Sequence, residues 1–366
     1  MSLIAATAHP LLERALLDKL ERRNESPGHP GGLGELEPLA LRLGLLQHSL
    51  KPRLREPQLL LFAADHGLAV DGLHPASGRQ TDEVVLQVLG GQQPLSAFAR
   101  RLGLALTVVD CGLASQVPAH EHLLQRKIAH GTRNVRLGAA MNLEQAHAAI
   151  RAGMEIGDTL RGNLVVCAGL GVGSHESAAL VLSRLSEVPV RELVHAGPTM
   201  SAETLAHLMI IVQAAQGRHR DVADAVEVLA ALGGYETAVM VGVMLVAASK
   251  RHLIVVDGLA ACAALLVASR IAASVVDYCV FARSRRHQGL DRALGLFHAR
   301  PLLDLGLEAL DGTGACLAWP LLQSAAALLS EVADDDELSQ PAGIDAPAVR
   351  SLYDPHAPAI PGLARG

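Results

Sequence analysis

The chain has 366 residues and a formal net charge of −6; half of it is hydrophobic, yet aromatic residues make up only 2%. That length suits one large domain or a large and a small one, and a core of Ala, Leu and Val favours packed helices and buried parallel strands over an aromatic-rich β-sandwich. With no Lys/Arg block, nucleic acid is not expected as the main partner. No membrane partner is expected either: the apolar run "LIVVDGLAACAALLVAS", broken by Asp257-Gly258, falls short of a membrane span.

In chain order, the N-terminal "MSLIAATAHPLLERALLDKLERR" is charged too early for a signal peptide. Its residues 8–23 read as a helix, followed by the breaker-rich "NESPGHPGGLGELE" (24–37) and a second helix through about Leu50. The run "PQLLLFAADHG" (57–67) reads as a first strand and 82–102 as a helix. A second strand, "LALTVVDCG" (104–112), precedes a helix over 143–161. "NLVVCAGLGVG" (163–173) is the third strand, with a helix from about 175, and 202–248 is purely helical. "KRHLIVVDG" (250–258) and "SVVDYCVFA" (274–282) complete the strands, and 320–334 reads as a last helix. Apolar runs of this length, ending in Asp or Gly, are the pattern of buried parallel strands whose C-terminal ends carry the functional loops. Five widely spaced cysteines without a CxxC pair (Cys111, Cys167, Cys262, Cys279, Cys316) point to reduced, buried thiols in the cytoplasm.

Five stretches carry candidate chemistry. Asp65, His66 and Gly67 end the first strand, where they form a turn, orient a ligand ring or brace the neighbouring loop. Gly171, Gly173 and Ser174 lie in a strand-to-helix turn, which is a plain helix start or a phosphate cradle with Ser174 donating to a phosphate oxygen. Gly233, Gly234 and Glu236 open an apolar helix, as a plain N-terminus with the glutamate favoured in its first turn by the macrodipole, or as substrate-binding residues. Arg283, Arg285 and Arg286, with His287, follow a strand; they suit a carboxylate or phosphate ligand, or simply a solvated loop. Asp311, just before Gly312-Thr313-Gly314, is a turn former or a general base.

Taken together, "FAADHGLAVDG", "QTDEVVLQVLGGQQPLSAFARRLG", "LTVVDCGL", "GLGVGSHESAAL", "LGGYETAVMVGVMLVAA", "VVDGLAACAALLVA" and "LLDLGLEALDGTGACLAWPLLQSAAALLSE" resemble the nicotinate-nucleotide:dimethylbenzimidazole phosphoribosyltransferase family. The resemblance runs from about residue 30 to 335. It implies an α/β fold, a Rossmann-like parallel sheet flanked by helices, with a small helical domain from the N- and C-terminal segments. On that basis residues 1–50 with about 320–345 form the small domain, 51–319 the large phosphoribosyltransferase domain and 346–366 an extended tail.

The resemblance further implies phosphoribosyl transfer from nicotinate mononucleotide to an aromatic nitrogen base, with no metal or other cofactor. Its partners would be those small molecules and a second copy of the chain, as a homodimer. Asp311 takes the place of the family's proton-accepting glutamate, one methylene shorter. Gly171, Gly173 and Ser174 would cradle phosphate or ribose, Gly312–Gly314 would hold the donor, and Asp65–Gly67 with His74 would face the base. The sequence departs from the family elsewhere. Gly169 stands where the family has a second glutamate, Leu208 where it has a phosphate-binding lysine, and "HAGPTMS" (195–201) where it has GRGTG. "ARSRRHQGL" (282–290) replaces a strand end of the form SHxSxEPGH, so Arg283, Arg285 or Arg286 would supply the missing charge at the phosphate. These departures leave open a diverged paralogue, either a non-catalytic nucleotide-binding protein or one subunit of a composite-site hetero-oligomer.

Overall fold

Apolar runs too short for a helix and buried on both faces become strands when helices cover both sides of the sheet. The computed structural model describes residues 4–25, 32–73, 80–194, 200–284 and 288–332. It opens with α1 (Pro10–Glu25), α2 (Leu36–Gln47) and β1 (Gln58–Ala64); then come α3 (Thr81–Leu89), α4 (Pro94–Leu102), β2 (Ala105–Gly112), β3 (Leu123–Gln125) and α5 (Leu143–Thr159). Next are β4 (Leu164–Leu170), α6 (Ser174–Leu185), α7 (Val190–Val194), α8 (Ala202–Arg218), α9 (Ala225–Leu232) and α10 (Tyr235–Ser249). The chain continues through β5 (Leu253–Asp257), α11 (Leu259–Ile271), β6 (Cys279–Arg283), α12 (Gln288–Leu296), β7 (Pro301–Leu303) and α13 (Thr313–Ala327), prolonged by a π-turn over Leu328–Val332.

Among the described residues the strands make one parallel sheet of seven, in the order β3-β2-β1-β4-β5-β6-β7. The chain winds outward from β1 to β3, then returns to lay β4 on the other side of β1, where Phe62 pairs with Gly169 and Ala63 with Leu170. That reversal opens a crevice above the C-terminal ends of β1 and β4, the place where sheets of this kind bind ligands.

Small residues let the covering helices approach closely. The backbones of α5 and α10 touch: a Cβ added at Gly153 would overlap the Val239 carbonyl, and one at Gly242 the Ile150 carbonyl. α10 is buried from Tyr235 to Ala248, which explains why its sequence is apolar all round. The stretch Thr313–Glu331 is apolar and long enough to cross a membrane, but in this fold most of it is packed inside protein. Its far end and the π-turn pack on α1 and α2 as a small helical layer, while its N-terminus reaches the functional edge of the sheet.

The structure corrects several boundaries. The helix expected over 82–102 is broken at Gly90-Gly91, where Gly91 adopts φ 72°, and restarts with Pro94 in its first turn. The stretch 202–248 is three helices, and residues 273–278 form a 3-10 turn before β6. β3 and β7, three residues each at the sheet edges, are too short to show a periodic pattern. The last helix begins at Thr313 rather than 320. The tail expected from 346 lies outside the described residues.

Candidate active site

Two buried ion-pair clusters organise the C-terminal edge of the sheet. The first joins the switch-point strands. His66 follows β1, Ser174 begins α6 just after β4, and Glu236 enters from the first turn of α10. One carboxylate oxygen of Glu236, Oε1, accepts from His66 Nε2 at 3.0 Å, Ser174 Oγ at 2.8 Å and Thr237 Oγ1 at 3.3 Å. Glu236 has no exposed surface at all. Burial alone would push His66 down and Glu236 up. Their mutual attraction and hydrogen bond overcome it, holding His66 above its ordinary 6.5 and Glu236 below its ordinary 4.5.

This cluster corrects four expectations. Ser174 donates to Glu236 rather than to a phosphate oxygen, Glu236 and His66 are buried against each other, and Gly234 gives up its side-chain space to the Glu236 carboxylate and the His66 ring. Gly233 ends α9 packed against the Leu229 carbonyl. Of the readings open for Asp65, bracing is the one observed: its Oδ2 accepts from the Ala114 N–H and its carbonyl from the Thr132 N–H. Gly67 packs against the backbone of Thr132–Asn134. Gly171 lies against the Ala64 carbonyl and Gly173 against the His66 ring stem, so both glycines serve the close approach of β1 and β4; Gly171 and Val172 remain partly exposed, and the Val172 N–H donates to Thr81 Oγ1 at 3.0 Å.

The second cluster hangs the loop before α13 on β5 and β6. Arg283, the last residue of β6, is only 1% exposed, and its Nε donates to Asp257 Oδ1 at 2.6 Å. Its Nη2 donates to Asp311 Oδ1 at 2.8 Å and to the Ala309 carbonyl at 3.2 Å, and Nη1 to the Leu307 carbonyl at 3.0 Å. Asp257, the last residue of β5, uses Oδ2 to accept the N–H groups of Gly312 and Ala315, both at 2.9 Å. Burial opposes the Arg283 charge, but Asp257 and then Asp311 outweigh it and hold the guanidinium above its ordinary range.

Arg283 is therefore not the expected phosphate ligand. A guanidinium sealed against two carboxylates and two carbonyls has no face to offer an exposed anion. Asp311 retains access, with its side chain 19% exposed, and its Oδ2 lies over the α-carbon of Gly258. Gly258 sits at φ 105°, a region open to glycine, and a Cβ there would overlap the Asp311 carboxylate. Gly312 is held by Asp257, Gly314 packs on the stem of Arg283, and Thr313 is buried with no hydrogen-bond partner for its hydroxyl among the described residues.

His74, Arg285, Arg286 and His287, and most of "HAGPTMS", lie outside the described residues. Gly169 lies between the first cluster and α11: a Cβ there would come within 2.6 Å of Ala260 and 3.7 Å of Ser174 Oγ. Leu208 is a core residue of α8, 4% exposed. Sequence reasoning missed Asp257 and Gly258 as site residues. The available signal was a carboxylate ending a buried strand directly before glycine, the same pattern that singled out Asp65.

Residues 9–338 match a family model described as phosphoribosyltransferase. The chain is 40% identical over 328 residues to the nicotinate-nucleotide:dimethylbenzimidazole phosphoribosyltransferase of Cupriavidus taiwanensis, covering 88% of this chain and 95% of that one. The enzyme of the same name from Shewanella oneidensis is 37% identical over 321 residues, covering 87% and 91%. The crystal structure of the like-named enzyme from Thermus thermophilus superposes with a TM-score of 0.81 at 32% identity, covering 88% of this chain and 96% of that one.

Proposed function

The chain belongs to the nicotinate-nucleotide:dimethylbenzimidazole phosphoribosyltransferase family, and we propose that Asp311 takes the proton in its reaction. The protein is a pentosyltransferase that moves the phosphoribosyl group of nicotinate mononucleotide to an aromatic nitrogen base of the dimethylbenzimidazole type. The product is an α-ribazole phosphate for the lower ligand of cobamides. The unprotonated ring nitrogen of the base attacks C1′ of the ribose. The C1′–N bond to nicotinate breaks, its electron pair returning to the pyridine ring, and the N–H proton of the base passes to the Asp311 carboxylate.

The observation that carries this role is the clamp on Asp311. It is a partly exposed carboxylate at the C-terminal edge of the sheet, one oxygen fixed by Arg283 and the other over a glycine that leaves it room. In this proposal the donor phosphate lies beside the partly exposed Gly171 and Val172, in the turn before α6, where a helix N-terminus suits an anion. The Thr81 hydroxyl, which accepts the Val172 N–H at 3.0 Å, is a further candidate contact. Asp65 and Gly67, with His74 and Arg285 beyond the described residues, remain its candidate contacts to the base and donor.

The test is incubation with nicotinate mononucleotide and dimethylbenzimidazole, reading free nicotinate and the new nucleoside phosphate by chromatography. Product in the wild-type reaction, lost in Asp311→Asn, is the expected result. Equal turnover in that variant would overturn the role given to Asp311.

A second reading is favoured by one observation. Ala260 occupies the space beside Gly169 and Leu208 is core, so neither position supplies the polar group that the family resemblance expects. Under it, another subunit completes the site as a composite hetero-oligomer, and turnover appears only when a paralogue is added. We take the acting form as a cytoplasmic homodimer whose small helical domain (1–50 with 320–345) adjoins the large domain (51–319); the five buried, free cysteines suit a reducing compartment.

A further inference from the structure

We propose that Arg283 is a positioning residue: its buried guanidinium holds the Asp311 carboxylate in one orientation, over Gly258 at the C-terminal edge of the sheet, for the incoming base. The inference rests on the reading of Asp311 as proton acceptor and deepens it, because it says what aims that carboxylate.

Three observations carry it. First, Arg283 contacts Asp311 and also the carbonyls of Leu307 and Ala309, so one side chain grips the carboxylate together with the loop that carries it. Second, the guanidinium is itself fixed from behind. Asp257 binds its Nε through one oxygen, while the other oxygen holds the N–H groups of Gly312 and Ala315. Residues on both sides of Asp311 are thus tied to one ion pair at the ends of two adjacent strands, and β5 and β6 are paired from Ile254 to Val256. Third, the space around the clamp is closed. The stem of Arg283 fills the position a side chain at Gly314 would occupy, and the Asp311 carboxylate fills the position a side chain at Gly258 would occupy.

This geometry requires the arginine fork. Nε and Nη2 point to two different carboxylates and Nη1 to a carbonyl, whereas a lysine carries its donors on one nitrogen and cannot occupy those three separate positions. A shortened carboxylate has fewer rotamers to search but a smaller reach, so its aim matters more. A displacement of about 1 Å from the productive position costs about a hundredfold in rate.

Removing Arg283 alone would leave Asp257 buried without its partner, which threatens folding. The main variant is therefore Asp257→Asn with Arg283→Met, which removes both charges and keeps an acceptor for Gly312 and Ala315. Arg283→Lys is the second variant, retaining the charge without the fork. Both are checked for a cooperative melt, then assayed for nicotinate release. The expected result is a kcat lowered by about a hundredfold, with KM for nicotinate mononucleotide within about threefold of the wild type. The triple variant should then be no slower than Asp311→Asn alone, because Arg283 acts through that carboxylate.

A kcat that stays at the wild-type level, or losses that multiply when Asp311→Asn is added, would overturn the proposal. A crystal structure of the double variant gives a readout independent of turnover. The Asp311 carboxylate is expected to leave its place over Gly258, and an unchanged rotamer would overturn the proposal even where kinetics agree. If the wild-type chain released no nicotinate, the functional reading would fall while the crystal structure still decided the positioning.

Discussion

His66 and Glu236 are 170 residues apart in the chain, yet their side chains meet at 3.0 Å in a place from which water is excluded. The pair ties the end of β1 to the start of α10, and Ser174 extends the tie to the start of α6 after β4. The rims of the switch-point crevice are thus held by one charged carboxylate. A buried charge of this kind is costly to leave alone, so its partners are structurally obligatory.

The pair makes stability depend on pH, with a definite sign. His66 is raised when folded, so its contribution is complete below pH 6.5 and fades as pH rises through its raised value. Glu236 is lowered, so its contribution is present above pH 4.5 and fades as pH falls through its lowered value. Both act together between those limits. Glu236→Gln should therefore cost about 2–3 kcal/mol near pH 5.5 and less at pH 9. Thermal melts of both proteins across that range check it; a cost that grows toward alkaline pH would contradict the ion pair.

At the second cluster, Asp311→Asn should lower kcat by about 10²- to 10⁴-fold, the usual contribution of a positioned general base. Asp311→Glu keeps a carboxylate but carries it beyond the clamp on Arg283, and should cost about tenfold. Nicotinate release at saturating donor separates the two. A glutamate variant as slow as the asparagine variant would show that the clamp tolerates no second length.

Gly258→Ala adds a Cβ where the Asp311 carboxylate lies, at a backbone conformation that L side chains rarely adopt. We expect a loss of about 1–3 kcal/mol in stability and a fall in turnover comparable to that of Asp311→Asn, since the carboxylate must move. Full activity in a folded Gly258→Ala protein would place Asp311 elsewhere in the working enzyme.

Two glycines on helices should respond in opposite directions. Gly242→Ala on α10 drives a methyl into the Ile150 carbonyl of α5 and should cost about 1–3 kcal/mol or more, as overpacking does. Gly217→Ala on the exposed side of α8 meets nothing within 4 Å and should stabilise by about 0.4–1 kcal/mol. Denaturant unfolding of the two variants, with turnover unchanged in Gly217→Ala, tests the packing assignment.

The sequence by itself determined the layered α/β fold. The runs around Leu59–Ala64, Leu164–Ala168 and Leu253–Val256 are apolar, short and followed by Asp or Gly, and each became a buried parallel strand. Hydrophobic period is a local property, so it survives without knowledge of the partner strand. It also marked Asp311 as a carboxylate at a glycine turn, and the motif series carried the family. What only the tertiary structure decided was which polar groups spend their hydrogen bonds on each other. Glu236 was legible as a first-turn glutamate, Ser174 as a phosphate donor and Arg283 as an anion ligand; folding buried all three against partners 170, 62 and 26 residues away. Asp257 gained its place only because β5 and β6 lie side by side. Burial raises the cost of an unpaired charge from nearly nothing to several kcal/mol, and neither burial nor a partner so distant in the chain is written in the local sequence.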